Sequence, residues 1–190
     1  MQPIHLAKGP IAVRPLAQQD APVLLKWMTN PLVLEFYGGR DLTYTFEKIQ
    51  EEFYTLEKGA RRCLVELEGN PVGYIQIYQL DAALCREYHY PYREGELAFG
   101  IDQFIGEPAL WNKGIGRAFI SLVIDHLTAA EGACAVILDP HCNNPRALRC
   151  YEACGFQKIK FLPAHELREG QWEDCWLMEY RPTEKNGEPF

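Results

Sequence analysis

The sequence predicts one α/β domain in which a mixed sheet is covered by helices. Strand-like and helix-like segments alternate along the 190 residues, as expected for a sheet packed against helices. Gly69, Asn70 and Pro71 separate two strand-like segments, which is typical of a β-hairpin. Because no repeat, low-complexity tract or linker divides the chain, we expect residues 1–190 to form a single domain.

The N-terminal part predicts a strand followed by two amphipathic helices. The strand covers Ile11–Leu16. The first helix ends before Asn30, and its apolar face consists of Val23, Leu24, Trp27 and Met28. The second helix extends to Gly59, and its apolar face consists of Phe46, Ile49, Phe53 and Leu56.

The rest of the chain continues the alternation of strands and helices. A hairpin occupies residues 62–80, and further strands are predicted at 96–104, 134–140 and 175–180. Helices are predicted at about 114–130 and 143–155, the second of them ending at Gly155.

The composition is that of an acidic protein without a metal-binding framework. The net charge of −7 disfavours nucleic acid as a partner and favours a cationic one. The seven cysteines form no CxxC pair and no zinc-like spacing with histidine, so we expect reduced thiols and no metal. No apolar run approaches the ~18 residues of a membrane span, and the N-terminus lacks a signal-peptide core. We therefore expect no membrane contact and a cytoplasmic location.

A glycine-containing loop follows the strand at 96–104. Its sequence, WNKGIGRAF over residues 111–119, places Gly114 and Gly116 between a strand and a helix. Glycine lets a phosphate approach backbone N–H groups at the positive end of a helix dipole. The loop has neither the ending of a Walker A motif nor the third glycine of GxGxxG. Taken alone, it predicts either an anion-binding loop or a helix start that needs glycine for close packing.

Segments around this loop resemble one enzyme family. Asn144, Ala147, Tyr151 and Gly155 lie in the pattern Asn-x-x-Ala-x-x-x-Tyr-x-x-x-Gly-Phe. With the preceding loop, this order is similar to that of the GNAT superfamily of N-acetyltransferases, which use acetyl-CoA. The segments GIDQFIGEP, VILDPHCNNPRALRCYEACGF and LPAHELREGQWEDCWLMEY resemble the aminoglycoside 6'-N-acetyltransferases, especially the acetyltransferase half of the bifunctional acetyltransferase-phosphotransferase enzymes.

The resemblance covers nearly the whole chain and has consequences for fold and activity. It implies a single GNAT domain with a mixed, mostly antiparallel sheet whose central strands splay apart. The first strand and helix would lie at about 10–30, the coenzyme-binding core at about 95–157 and the last strand at about 173–181. It also implies acetyl transfer from acetyl-CoA to the 6'-amino group of aminoglycosides by direct attack in a ternary complex, which confers antibiotic resistance. No phosphotransferase activity is expected.

The resemblance also implies which residues bind the coenzyme. The family loop usually begins with Gln or Arg, so Trp111 departs from the pattern, whereas Gly114 and Gly116 match it. Backbone amides of the loop would hold the pyrophosphate, and Asn144 would reach the pantetheine arm. Backbone N–H groups near Phe104 would polarise the thioester carbonyl. The expected coenzyme contacts are Phe104, Asn112, Lys113, Gly114, Ile115, Gly116, Arg117 and Asn144.

Acyl transfer to an amine needs a neutral amine, a polarised carbonyl and a proton for the departing thiolate. Asp102, a carboxylate inside an apolar run, is the candidate base or ammonium anchor, and an aspartate that ends a strand is the alternative. Tyr151 is the candidate general acid toward the coenzyme A thiolate. The alternative for Tyr151 is an aromatic helix residue that packs on the sheet.

Further residues are candidates for contact with the acceptor. Asp139 would face the same cleft or lies in a turn before Pro140. Glu173 and Asp174 would add negative charge to the cleft rim or lie in a solvated turn. The aromatic candidates for contact with sugar rings, each of which also suits the core or the surface, are Phe36, Tyr37, Tyr74 and Tyr78.

Three functions are compatible with these residues. An aminoglycoside acetyltransferase comes first, because a polycationic substrate suits an acidic cleft. A polyamine or a protein N-terminus as acceptor is second, and a non-catalytic sensor that binds coenzyme A is third. The aromatic and acidic segment 85–95 is either a mobile lid or a long connection. His89 and His141 are predicted to be surface or packing residues, and the chain to be a monomer or a homodimer.

Overall fold

The computed structural model describes residues 2–55, 59–91 and 95–182, which form one eight-stranded sheet flanked by helices. The strands are β1 (Leu6–Lys8), β2 (Ile11–Pro15), β3 (Ala60–Leu67), β4 (Asn70–Gln79), β5 (Ala98–Ile105), β6 (Ala135–Leu138), β7 (Gln157–Arg168) and β8 (Gln171–Tyr180). Their order in the sheet is β1-β2-β3-β4-β5-β6-β8-β7. Neighbouring strands are antiparallel except for β5 and β6, so the predicted fold class is confirmed.

The helices cover the two faces of the sheet. They are α1 (Ala21–Met28), α2 (Pro31–Leu34), α3 (Phe46–Tyr54), α4 (Ala82–Glu87), α5 (Ile115–Ala129) and α6 (Pro145–Ala153). In the part of the chain that the structure describes, no helix combines the length and the apolar character needed to cross a bilayer.

The predicted N-terminal strand and helices are confirmed, except that α3 ends earlier and that Phe46, from its predicted apolar face, is 47% exposed. β2 covers all but the last residue of the predicted strand, and α1 buries Leu24, Trp27 and Met28. The helix α3 ends at Tyr54 rather than at Gly59, because Thr55 adopts an extended backbone conformation with ψ of 125°. Leu56, which is predicted to be part of its apolar face, lies outside the described residues.

The C-terminal part differs most from the prediction. The sequence pattern predicts no strand between Gly155 and Cys175, whereas β7 and the first half of β8 occupy this segment. Glu173 and Asp174 therefore lie within β8 and not in a turn. β7 is the edge strand and most of its residues are exposed, so its sequence lacks the regular apolar alternation of a half-buried strand.

The central strands diverge near the middle of the sheet. β5 pairs with β4 over seven positions, from Gly73↔Ile105 to Gln79↔Phe99. It pairs with β6 over three positions only, ending at Gly100↔Ile137. Beyond Gly100 the strand β5 therefore keeps its pairing with β4 but leaves β6. This divergence opens the sheet at the carboxyl end of β6.

Each face of the sheet has its own apolar core. On one face, side chains of α5 and α6 pack against the odd-numbered residues of β5, including Phe99 and Ile101. On the other face, α1 and α3 pack against even-numbered residues, and Trp27 meets Phe104 edge-on at 5.9 Å between ring centres. The alternation of side chains along β5 therefore separates neighbouring residues onto opposite faces.

Candidate active site

A cleft of about 720 Å³ occupies the gap between β5 and β6. One wall comes from the loop before α5 and from α6, and the opposite wall from α2, α4 and β7. Among the predicted site residues, the cleft is lined by Phe36, Tyr37, Asp102, Phe104, Asn112, Gly114, Ile115, Gly116, Arg117, Asp139, Asn144 and Tyr151. The predicted residues that do not line it are Lys113, Tyr74, Tyr78, Glu173 and Asp174.

Asp102 and Gln103 point to opposite faces of β5 and thereby divide the cleft into two halves. Asp102 contacts Gln76 of β4, whose Nε2 donates a hydrogen bond of 2.6 Å to Asp102 Oδ2. Gln103 contacts α6, because its Nε2 donates a bond of 2.7 Å to the Tyr151 hydroxyl. Asp102 and Tyr151, the two predicted catalytic residues, therefore lie on opposite sides of the sheet. The gap where β5 and β6 diverge joins the two sides into one cleft.

The environment of Asp102 is suited to a base that works near neutral pH. Burial raises the pKa of Asp102 from 3.8 to about 6, and the negative charge of Asp139 adds to this effect. The hydrogen bonds from Gln76 and from the Tyr78 hydroxyl, at 3.4 Å, act in the opposite direction. The Tyr74 hydroxyl donates to Gln76 Oε1 at 3.2 Å, which orients the amide so that its Nε2 faces Asp102.

Tyr74 and Tyr78 serve Asp102 and do not form the cleft wall, which corrects the prediction that they contact sugar rings. Tyr74 is 1% exposed and packs between Phe53 and Phe104. The Tyr78 ring covers Gly100, where a Cβ would lie 2.3 Å from it. Because glycine at 100 leaves this space free, Tyr78 reaches the carboxylate.

Tyr151 is placed as a proton donor on the other face. It is 9% exposed, and burial raises the pKa of its phenol above the usual value. The phenol therefore stays protonated at neutral pH. Its oxygen accepts the bond from Gln103, so its own proton remains free to be donated into the cleft.

The loop before α5 presents backbone N–H groups at a helix N-terminus. Gly114 is the N-cap of α5 with φ of 79°, a left-handed conformation that favours glycine. The first bond within the helix runs from Ala118 N–H to Gly114 O, so the N–H groups of Ile115, Gly116 and Arg117 have no acceptor in the helix. A Cβ at Gly116 would lie 3.1 Å from Cys150 Sγ and narrow the cleft. Lys113 is exposed and does not line the cleft.

Asn144 begins α6 and has one free polar group. Its Oδ1 accepts a bond of 3.1 Å from Ala147 N–H and so caps the helix. The Nδ2 donors remain available on the cleft side. The predicted contact with a pantetheine amide therefore stays a prediction that this geometry permits.

The backbone at Phe104 corrects one detail of the expected site. Leu80 N–H donates to Ala98 O and Gly106 N–H donates to Val72 O, each at 2.9 Å. Even-numbered residues of β5 therefore direct their backbone groups to β4, and the N–H of Phe104 is part of that ladder. The neighbouring N–H groups of Gln103 and Ile105 point to the cleft instead. The backbone N–H groups that face the cleft are therefore those of Gln103 and Ile105, on either side of Phe104.

We call the half of the cleft on the Asp102 side of β5 the acceptor half. It contains a cluster of charged side chains around Asp139. His165 Nε2 lies 3.1 Å from Asp139 Oδ2, and this partner raises the pKa of His165. His141 pairs with Glu166 and lowers the pKa of that carboxyl. His141, which the sequence predicts to be a surface or packing residue, therefore lines the cleft within an ion pair.

A β-bulge explains why sequence reasoning missed His165 and Glu166. The register of β7 against β8 shifts between Leu162 and Glu166. Ala164 there has φ of 46°, and its N–H donates a bond of 2.8 Å to Asp174 Oδ1. The bulge turns the following residues towards the cleft. Asp174 thus stabilises the bulge and does not line the acceptor site.

Glu173 belongs to a second, smaller pocket of about 420 Å³ beside the acceptor half. It accepts hydrogen bonds from Asn143 at 2.9 Å and from Arg168 at 3.3 Å. Its charge is therefore partly compensated. The tip of the β7–β8 hairpin also reaches the loop after α2, where Glu169 accepts bonds from both the backbone and the guanidinium of Arg40.

Aromatic rings from the turn after α2 and from the 85–95 segment complete the acceptor half. Tyr37 packs on Phe104 at 4.6 Å between ring centres, and Phe36 lines the cleft beside it. Tyr88 follows α4, and its hydroxyl lies 3.3 Å from that of Tyr78. Residues 92–94 of this segment lie outside the described residues. The described part of the 85–95 segment is linked to Asp102 by hydrogen bonds, from Tyr88 to Tyr78 and from Tyr78 to the carboxylate.

Three potential metal ligands lie close together next to this half. The ligand atoms of His141, Glu166 and Cys175 are within 4.8 Å of one another. His141 and Glu166 already pair with each other, and burial raises the pKa of the Cys175 thiol. The three side chains thus form an ion pair beside a buried thiol.

A family model described as the acetyltransferase (GNAT) domain matches residues 17–163. The chain belongs to the GNAT acetyltransferase family. This finding confirms the resemblance drawn from the loop and from the segment at 144–156. The GNAT domain is therefore an acetyltransferase, with its cleft where β5 and β6 diverge.

Relatives within this family act on two kinds of amine. The aminoglycoside N(6')-acetyltransferase type 1 of Klebsiella pneumoniae is 26% identical over 152 residues, covering 78% of this chain and 74% of that protein. The spermidine N(1)-acetyltransferase of Vibrio cholerae is 25% identical over 147 residues, covering 72% and 78%. A solved structure of AAC(6')-Ib in complex with ribostamycin and coenzyme A has a TM-score of 0.72 at 22% identity, covering 90% of this chain and 93% of that one.

Proposed function

We propose that this GNAT protein transfers the acetyl group of acetyl-CoA to the 6'-amino group of an aminoglycoside and thereby confers resistance to it. The observation that carries this proposal is the position of Asp102, an enclosed carboxylate that faces an acidic and aromatic half-cleft opposite an anion-binding loop. Asp102, Asp139 and Glu166 give this half several negative charges. A polycationic amino sugar matches that arrangement.

The loop side fits the acyl donor. Free N–H groups at the start of α5 suit a pyrophosphate, and Gly116 keeps the approach to them open beside Cys150. Asn144 offers amide donors to the pantetheine arm. The thioester would then lie along the cleft edge of β5, where the N–H groups of Gln103 and Ile105 polarise its carbonyl.

The reaction follows from groups on both faces of β5. Asp102 holds the acceptor ammonium and takes one proton from it, so that a neutral amine attacks the thioester carbonyl. A C–N bond forms and the C–S bond breaks in a ternary complex. Tyr151 gives its phenol proton to the departing thiolate, and Gln103 keeps the phenol in position through the 2.7 Å bond. The attacking nitrogen loses its second proton to water as the tetrahedral adduct collapses, and water returns one proton to the Tyr151 phenolate. The proton on Asp102 is released to solvent, so that one proton is released in each turnover.

A polyamine is the second candidate acceptor. It is supported by the spermidine acetyltransferase relative, whose identity to this chain is nearly that of the aminoglycoside enzyme. A polyamine would use the carboxylates without needing the aromatic rings of Phe36, Tyr37 and Tyr88. The two acceptors therefore differ in the part of the cleft that they require.

Release of the coenzyme A thiol tests the proposal. Purified protein is mixed with acetyl-CoA and kanamycin, spermidine or no acceptor, and the Asp102→Asn variant is run alongside. We expect thiol release with kanamycin that depends on Asp102, and protection of cells that express the protein. Release with spermidine alone would refute the aminoglycoside acceptor and support the second candidate. Cytoplasmic location and a monomeric or homodimeric state stay predictions.

A further inference from the structure

The guanidinium of Arg146 lies between two aromatic rings in the wall of the cleft. Its Cζ is 3.8 Å from the ring centre of Trp111 and 4.5 Å from that of Phe36. The two rings are nearly perpendicular, with centres 6.0 Å apart. Trp111 is itself fixed, because its Nε1 donates a bond of 2.9 Å to Ile105 O. Arg146 is thus held on a rigid platform within the cleft.

This cation has no direct anionic partner. Across residues 2–55, 59–91 and 95–182, Arg146 forms no ion pair and no hydrogen bond, and its ring contacts are with Trp111 and Phe36. The nearby carboxylate of Glu35 acts on its charge from beyond ion-pair distance, whereas Arg14 is paired directly with Asp20 and Glu66. Burial lowers the pKa of Arg146, yet a guanidinium stays charged at any physiological pH. A partly desolvated charge with five unused donors is suited to binding an anion.

The neighbourhood indicates which anion. Arg117 and Arg149 line the same cleft, and the free N–H groups at the start of α5 lie in the same wall. The whole chain carries a net charge of −7, so a polyanion must be bound by a local concentration of positive charge. Trp111 packs on the guanidinium of Arg146 and offers no charged side chain of its own at this point of the loop.

We propose that Arg146, held by Trp111 and Phe36, binds a phosphate group of coenzyme A and supplies the charged side chain that position 111 lacks. This inference rests on the proposed function, because that function brings the coenzyme into the cleft. It assigns Arg146 to the binding of the coenzyme, and Trp111 to the positioning of Arg146. The planar guanidinium suits two oxygens of one phosphate.

Calorimetric binding of coenzyme A and of 3'-dephospho-coenzyme A tests the inference without turnover. Arg146→Gln should weaken coenzyme A binding ~10- to 100-fold, the range expected for loss of charge-assisted hydrogen bonds. Arg86→Gln removes the same charge from an exposed residue of α4 that does not line the cleft, and should cost less than threefold. Arg146→Lys keeps the charge without the planar donors and should fall between these values. Thermal unfolding shows whether Arg146→Gln is folded. If it is not, the Arg146→Lys variant tests the inference in its place.

The two ligands identify the phosphate. If Arg146→Gln also loses affinity for dephospho-coenzyme A, Arg146 binds the pyrophosphate. If it loses affinity for coenzyme A only, Arg146 binds the 3'-phosphate. The inference is wrong if Arg146→Gln binds coenzyme A within threefold of the parent protein, or loses no more affinity than Arg86→Gln. Absence of binding to the parent protein would instead refute the proposed function, and this inference with it.

Discussion

Replacing Asp102 by Asn should make the protein more stable and almost inactive. The carboxylate is enclosed by protein atoms, and its pKa is raised from 3.8 to about 6, mainly by burial. At ~1.36 kcal/mol per pKa unit, ionised Asp102 costs about 3 kcal/mol of stability at neutral pH. Part of the side chain is still accessible from the cleft, so we expect ~1–3 kcal/mol. For a chain of this size, that corresponds to roughly 2–10 °C in Tm.

The pH dependence of this gain has a defined sign. Because the folded-state pKa lies above the unfolded value, the folded protein holds the proton more tightly between about pH 4 and 6. Stability contributed by Asp102 is therefore fully present below about pH 4 and is lost as the pH rises through about 6. An asparagine side chain at this position does not titrate, so the variant should exceed the parent protein in stability at pH 7.5 and equal it near pH 4.

Activity should change in the opposite direction. If Asp102 holds the ammonium and accepts its proton, kcat/KM of the parent protein should fall below about pH 6, and Asp102→Asn should lower it ~100- to 10,000-fold at pH 7.5. Thiol release measures activity, and thermal unfolding at pH 4 and 7.5 measures stability. Turnover within threefold of the parent protein, or equal stability differences at both pH values, would refute this account of Asp102.

Three further predictions concern residues around the two halves of the cleft. Tyr151→Phe should lower kcat about 100-fold while the acceptor KM changes little, because it removes the proton for the thiolate; equal kcat in a steady-state assay would contradict this role. Gly100→Ala should destabilise the fold by ~1–3 kcal/mol in chemical denaturation and reduce kcat/KM, since its Cβ would lie 2.3 Å from the Tyr78 ring; unchanged stability would show that the ring moves freely. Asp139→Asn should lower the pKa of His165 in an NMR titration and raise the acceptor KM, because Asp139 is the partner that raises this pKa; an unshifted His165 would remove the pair from the acceptor site.

The candidate site could be predicted where its residues belong to single elements. The loop with Gly114 and Gly116 and the helix with Asn144 and Tyr151 are local patterns, and the structure places them in one cleft wall. Asp102 was equally visible as a carboxylate in an apolar run. In contrast, Tyr74 is predicted to line the cleft but lies in the core. The face of the sheet to which its side chain points depends on how β4 pairs with β5, which the local sequence does not show.

The sequence by itself determined the alternation of strands and helices, the glycine-containing loop before α5 and the family, because these depend on residue order within short segments. Tertiary structure alone decided that Asp102 and Tyr151 lie on opposite faces of β5, since that follows from register and from where β6 separates. It also decided that the bulge in β7 brings His165 to Asp139. Trp111 and Phe36 enclose Arg146 in the same way. Such contacts join segments far apart in the chain, and their geometry is set by strand pairing and packing, which no local pattern records.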